Sequence, residues 1–261
     1  MRENRLRAIW RAGGCALNGW LHIPASFATE VMAHQGWDSL TIDMQHGAID
    51  YGAALGMLQA ISTTETVPLA RVPWNEPGII MKMLDAGCYG IICPMVNTRA
   101  ECEAFVSACR YPPAGSRSYG PVRAALYAGD GYAAAANATV VTMAMIETRE
   151  AVERITDIMT TPGLDAIYIG PSDLGQSLGF GPTVDPTEPA VLAAIDAVLA
   201  AAQAHGVVVG MHTASPAYAG SLAAKGMQFV TVGSDARLMA AAASGAVAAF
   251  RQADAGRPLA Y

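Results

Sequence analysis

Acids, histidines and an arginine recur in this chain at the ends of short apolar runs, and that placement lets them act together. Glu147 and Asp173 close the runs VVTMAMIE and AIYIGPSD. Two carboxylates at the same height on adjacent parallel strands, about 4.8 Å apart, can share one hard divalent cation such as Mg2+ or Mn2+. Taken singly, Glu147 equally suits a helix N-terminus, and Asp173 a helix cap or turn. His46 follows Asp43 by three residues in IDMQHG. An imidazole beside a metal site is a candidate general base, the alternative being a hydrogen-bonded structural histidine. Arg71 is held on the proline-flanked segment ARVPWNEP. A guanidinium there can anchor a carboxylate and stabilise a developing enolate, or serve in a structural ion pair. Trp20, His22, Gln45, Ser172, His212, Ser234 and Asp235 fall at equivalent run ends. Among the histidines His22, His34 and His205 carry the weaker signals, the last two lying at helix ends where the helix dipole favours histidine.

Lysine usage removes one branch of carbon–carbon chemistry. Only Lys82 and Lys225 occur, both in helical patterns, so a Schiff-base or pyridoxal mechanism lacks its nucleophile. No P-loop and no G-x-G-x-x-G between a strand and a helix supports nucleotide chemistry.

These residues need a scaffold that brings eight run ends to one face. Strands are expected at 15–21, 39–45, 68–73, 90–96, 140–147, 166–172, 207–212 and 229–234. Their near-continuous apolar character is that of a parallel sheet buried on both faces. Helices are expected at 26–34, 51–62, 76–86, 99–109, 149–159, 189–205, 216–225 and 235–251. Gly36, Gly87, Gly163, Gly206 and Gly226 punctuate helix-to-strand junctions. Eight strand–helix units in 261 residues favour an α/β fold, a (β/α)8 TIM barrel, as a single domain over 1–261, although an open sheet gives the same alternation. In such barrels the chemistry sits at the C-terminal ends of the strands. A Gly/Pro-rich segment at 111–137 is expected on that upper face as a lid.

Composition sets the outer bounds. Apolar residues make up 52% of the chain and charged residues only 15%, which is material for a core rather than for disorder. A net charge of −6 without a Lys/Arg stripe argues against a nucleic-acid partner. No secretory leader or membrane span is evident, and five cysteines without C-x-x-C spacing suggest neither a disulfide framework nor a zinc site. The expectation is a soluble cytoplasmic protein with no membrane partner.

The segments IDMQHG (42–47), ARVPWNEP (70–77), CPMV (93–96), RYPPAGSR (110–117), IETREA (146–151) and GPSDLGQSLG (170–179) resemble, in order, the HpcH/HpaI family of class II, metal-dependent pyruvate aldolases. The resemblance implies that Glu147 and Asp173 ligate Mg2+ or Mn2+, with Co2+ a further option. It implies that Arg71 binds the keto oxygen and stabilises the enolate, and that His46 transfers protons. Asp43 or Asp85 would orient His46, Asp85 from a neighbouring subunit, and the backbone N–H groups of Ser172 and Asp173 would receive the substrate carboxylate. It further implies a homo-oligomer, a hexamer, that exchanges its last helix between subunits. Two departures stand out: Gln45 replaces the family's usual Glu, and His212 replaces an apolar residue, which makes the pocket more polar and suits a hydroxylated donor. The expected reaction is reversible cleavage of a 4-hydroxy-2-oxo acid into pyruvate or hydroxypyruvate and an aldehyde, with small-molecule 2-oxo acids and aldehydes as partners. Oxaloacetate decarboxylation at the same site and a non-catalytic 2-oxo acid-binding barrel are the alternatives.

Overall fold

A computed structural model describes residues 1–255. The last six positions of the expected domain lie outside the described residues. Eight parallel strands close into a barrel in sequence order: β1 (Ala16–Leu21), β2 (Ser39–Asp43), β3 (Val67–Arg71), β4 (Gly90–Cys93), β5 (Val141–Ile146), β6 (Ala166–Ile169), β7 (Val208–Thr213) and β8 (Phe229–Val232). Closure is made by β1 against β8, with Ala16 opposite Phe229 and Asn18 opposite Thr231.

Alternation along each strand divides the apolar residues into two layers. Leu40, Ile42, Ala70, Ile91, Ala144, Ile146, Ile167, Ile169, Val209, Met211 and Val230 pack outward with the helices. Ala16, Trp20, Leu69, Met143, Met145, Tyr168 and Phe229 fill the barrel. A polar layer crosses this interior: Asn18 accepts from Ser39 Oγ (2.8 Å) and Thr41 Oγ1 (3.1 Å) and donates to Thr231 Oγ1 (2.9 Å). Each buried polar group there has a partner, as a buried layer requires.

The outer ring comprises α2 (Ser26–Ala33), α3 (Tyr51–Ile61), α4 (Pro77–Asp85), α5 (Arg99–Cys109), the pair α8 (Arg149–Glu153) and α9 (Ile155–Met159), α11 (Pro189–His205) and α12 (Pro216–Ala224). Local signals explain their limits. Thr98 and Glu101 form a reciprocal capping box that starts α5. Gly206 ends α11 in the left-handed conformation, at φ 67. The helix expected over 149–159 breaks at Arg154 into α8 and α9.

Besides a short helix after β6, three helices fall outside the expected alternation: α1 (Arg5–Arg11), α6 (Val122–Ala128) and α7 (Tyr132–Thr139). The last two occupy the 111–137 segment, and its expected place as an upper lid is corrected. The segment leaves the end of α5 and enters the start of β5, so it runs at the strands' N-terminal end. Tyr111, Ala124, Ala128, Tyr132 and Ala136 pack there with Leu6 and Trp10 of α1 and with Tyr89 and Val141. Asn137 clamps the segment by accepting from the Tyr111 N–H (2.7 Å) and donating to its carbonyl (3.0 Å). At the other end, β6 stops at Ile169 and a short helix, α10 (Pro171–Ser177), begins where strand was expected to continue, with Pro171 in its first turn. The chain ends in α13 (Asp235–Ala255), a 21-residue helix exposed at every position from Arg237 to Gln252.

Candidate active site

Inward parity carries the last or penultimate residues of five strands, Trp20, Arg71, Met145, Tyr168 and His212, into one cavity at the barrel's C-terminal end. The cavity holds about 240 Å³ and is lined by Trp20, His22, His46, Arg71, Met145, Tyr168, Gly170, Pro171, Ser172, Asp173, Val184, His212, Ser234 and Arg237. Glu147 lies directly under its wall, because a Cβ on Gly170 would collide with Glu147 Oε2.

Glu147 is 2% exposed, and its Oε1 accepts from the Met95 N–H at 2.7 Å. Met95 presents that N–H from a left-handed backbone, φ 55, an unfavourable conformation for a side-chain-bearing residue. Thr148, not Glu147, caps α8, so the helix-start reading of Glu147 falls away. Burial pushes the Glu147 carboxyl up to about 7; the Met95 hydrogen bond opposes this, the Asp173 charge adds to it, and Arg71 lowers it. Asp173 sits in the first turn of α10 and faces the cavity.

Asp43, fully buried, is the hub of the other half. Its Oδ1 accepts from Arg71 Nε (2.9 Å) and its Oδ2 from Arg71 Nη2 (2.5 Å), Trp20 Nε1 (3.1 Å) and His22 Nε2 (3.0 Å). Burial alone would raise this carboxyl; hydrogen bonds from His22 and Arg71, the Arg71 charge and the Trp20 N–H outweigh it and hold the group well below the usual carboxylate range. The Arg71 guanidinium also lies 4.9 Å over the Trp20 ring. Nη1 of Arg71 makes no hydrogen bond among the described residues, which leaves a donor for a ligand.

His212 stands edge-on to Trp20, with ring centroids 5.0 Å apart, and its Nδ1 is 3.3 Å from the Tyr168 hydroxyl, which donates to Thr231 Oγ1 at 2.7 Å. Burial, then the charges of Arg71 and His22, push its imidazole down to about 4, against the pull of Asp43. The ring is therefore neutral at physiological pH.

The structure brings together Trp20, Arg71, Asp43, His46, Glu147, Ser172, Asp173 and His212. Two expectations need correction, those for Asp43 and Gln45, while the expectation that Asp85 acts from a neighbouring subunit is not tested by a single chain. Asp43 does not orient the His46 ring: it accepts the backbone N–H groups of Gln45 (3.0 Å) and His46 (3.2 Å), and its remaining capacity goes to His22, Trp20 and Arg71. Gln45 does not line the cavity; its Oε1 is buried without a hydrogen-bond partner. Asp85 ends α4 at the opposite end of the barrel, 2.6 Å from Arg117, and within one chain it does not join the site. Residues the sequence reading undervalued or passed over are His22, Tyr168, Arg237 and the Met95 N–H. His22 and Tyr168 share inward parity with Trp20 and Ala166, a signal present in the sequence; Arg237 lies on a helix, where strand parity says nothing.

No group of three or more His, Cys, Asp or Glu side chains suited to a metal occurs among the described residues. The donor set is the carboxylate pair. A buried acid held near 7 beside a second acid fits a divalent cation, which would compensate both charges with hard oxygen ligands.

Residues 20–242 match the family model described as HpcH/HpaI aldolase/citrate lyase. The chain is 45% identical to a hydroxypyruvate/pyruvate aldolase of Rhizorhabdus wittichii over 95% of this chain and 99% of that protein. It is 34% identical to a 4-hydroxy-2-oxo-heptane-1,7-dioate aldolase of Escherichia coli over 99% of this chain and the whole of that one. Among solved structures, a HpcH/HpaI aldolase/citrate lyase family protein of Burkholderia cenocepacia J2315 superposes with a TM-score of 0.89 at 32% identity, covering 95% of this chain and 99% of that one. With its barrel, its paired acids and its Asp43-held arginine, the chain belongs to the HpcH/HpaI aldolase/citrate lyase family.

Proposed function

We propose that the protein catalyses reversible aldol cleavage of 4-hydroxy-2-oxo acids to pyruvate or hydroxypyruvate and an aldehyde, using a divalent cation held by Glu147 and Asp173. The observation that carries this reading is Asp173 in the cavity wall, with the charge-coupled Glu147 just beneath that wall, in one cavity with an arginine locked to Asp43. When bound, Mg2+, Mn2+ or Co2+ supplies Lewis acidity that favours enolate formation from a 2-oxo acid. The chain's own groups do the rest. Arg71 offers its unbonded Nη1 to the oxygen where enolate charge develops, and Asp43 keeps the guanidinium from turning away. The N–H groups of Ser172 and Asp173, unpaired in the first turn of α10, receive the substrate carboxylate. His46 takes the proton of the 4-hydroxyl as the C3–C4 bond breaks to give the aldehyde; the enolate left behind takes up one proton at C3 to become pyruvate, and addition runs these steps in reverse. The neutral His212 offers a polar wall to a hydroxyl-bearing donor, which supports hydroxypyruvate beside pyruvate.

Assembly belongs to the same reading. The solvent-exposed α13 carries Leu238, Met239, Val247 and Phe250 outside any core of its own chain, which supports a homo-oligomer, a hexamer, built by helix exchange. Asp85 would reach His46 only from a second copy. Among the described residues no helix is long and apolar enough to cross a membrane, and a cytoplasmic site of action suits this chemistry.

The test is product analysis. Purified protein given a 4-hydroxy-2-oxo acid should release equal amounts of pyruvate and aldehyde with Mn2+ or Mg2+ and none with chelator. Carbon dioxide release from oxaloacetate without any aldol cleavage would replace this reading with decarboxylation.

A further inference from the structure

The two carboxylate oxygens of Glu147 have different surroundings. Oε1 accepts the Met95 N–H at 2.7 Å, its one hydrogen bond among the described residues. Oε2 lies against Gly170, a residue of the cavity wall, where an added Cβ would collide with it. Whatever aims the Met95 N–H therefore decides which oxygen Glu147 turns toward the cavity.

That N–H comes from a backbone at φ 55, the left-handed region, which no other non-glycine residue enters among the described residues. Such a conformation persists only where the surroundings hold it. One side chain, Asn97, does so from both sides. Its Nδ2 donates to the Met95 carbonyl at 3.2 Å, and its Oδ1 accepts from the Thr148 hydroxyl. Thr148 directly follows Glu147, and its Oγ1 accepts the Ala151 N–H at 3.0 Å as the cap of α8. Donors and acceptors match in one orientation only, because turning the amide over would set its oxygen against the Met95 carbonyl oxygen. The Asn97 backbone is fixed in turn by Glu101 Oε2, which accepts the N–H groups of Asn97 (2.8 Å) and Thr98 (3.0 Å) at the start of α5. The amide thus ties the β4–α5 turn to the β5–α8 junction on either side of the Met95–Glu147 bond. Asn97 does not line the cavity, so it acts through Glu147.

We infer that Asn97 is a positioning residue for the cation site: by bridging the Met95 carbonyl and the Thr148 hydroxyl, it keeps Oε1 of Glu147 on the Met95 N–H and leaves Oε2 for the cation. The inference rests on the metal-dependent reading of Glu147 and Asp173. Without the bridge the Met95 backbone relaxes, its N–H swings away, and the carboxylate has to be ordered as the cation binds. Preorganisation of this kind is gained as affinity. Groups that hold a ligating carboxylate are worth about ten- to a hundredfold in metal affinity.

Asn97→Leu removes both side-chain bonds at similar volume. Calorimetric titration of the chelator-stripped variant with Mn2+ should give a Kd raised about tenfold or more. A second readout needs no metal. In 15N-methionine-labelled protein the Met95 amide proton, drawn downfield by its bond to the carboxylate, should move upfield in the variant and exchange faster with solvent. A residue that only fills space would move neither quantity. Thr148→Ser keeps the hydroxyl and should keep both values, whereas Thr148→Val should shift them as Asn97→Leu does. That pair carries the same comparison if Asn97→Leu does not fold. A Mn2+ affinity or a Met95 amide unmoved in folded Asn97→Leu, or in Thr148→Val, would overturn this inference alone. Unaltered protein that binds no Mn2+ would overturn the metal-dependent reading together with it.

Discussion

With one hydrogen bond and almost no solvent, Glu147 titrates at about 7, so the folded protein resists ionising it. The sign of the consequence is fixed by linkage. Below the ordinary carboxyl value of 4.5 both folded and unfolded chains are protonated, and Glu147 costs nothing. As pH rises from 4.5 to 7 the unfolded chain gives up its proton first, and metal-free stability falls by roughly 3 kcal/mol from this group. Glu147→Gln in the presence of chelator should therefore be the more stable protein at pH 8 and match the unaltered protein near pH 4.5. Denaturant melts across pH measure this, and parallel profiles would contradict it. Mn2+ should stabilise the unaltered protein and not the variant. Arg71→Lys keeps the charge beside Asp43 but loses the two-pronged contact, so kcat should fall by about a hundredfold or more with the fold retained.

At the level of strands and helices, Gly170 links β6 to α10 with φ −93, a conformation open to any residue. Its function is spatial: an added Cβ would strike Glu147 Oε2 and come within 3.0 Å of Met145 Cε. Gly170→Ala should accordingly displace the carboxylate and weaken Mn2+ binding by about tenfold or more, with circular dichroism unchanged. Calorimetric titration checks it, and unaltered affinity would show that Glu147 has room to move. The eight strands were legible because apolar runs bounded by turn residues are a direct consequence of burying a parallel sheet on both faces. Asp43, Arg71 and Glu147 were legible for the same reason, as polar residues closing those runs. The helices at 122–128 and 132–139 were not, because alanine-rich stretches among Gly and Pro show no apolar stripe. The partners of Asp43 were hidden too. That it holds Arg71, Trp20 and His22 rather than the His46 ring depends on side-chain directions across three strands, which sequence spacing does not contain.

For the molecule as a whole, the two ends of the barrel are built for different purposes. The N-terminal end is plugged by α1, α6 and α7, while the C-terminal end stays open over the site. From that open end α13 runs out with Val247 50% and Phe250 72% exposed, more apolar surface than a lone helix keeps in water. The protein should sediment as a multiple of the 261-residue chain, and Val247→Glu with Phe250→Glu should reduce that mass. A monomeric unaltered protein would remove the assembly from the account. The central claim is enolate formation at the Glu147–Asp173–Arg71 site, and it can be seen without knowing the aldehyde. Chelator-stripped protein should leave the methyl protons of pyruvate unexchanged in deuterium oxide, Mn2+ or Mg2+ should start the exchange by NMR, and Arg71→Lys should suppress it. Folded protein that exchanges neither pyruvate nor hydroxypyruvate with Mg2+, Mn2+ or Co2+ would contradict the claim and leave a barrel that binds 2-oxo acids without transforming them.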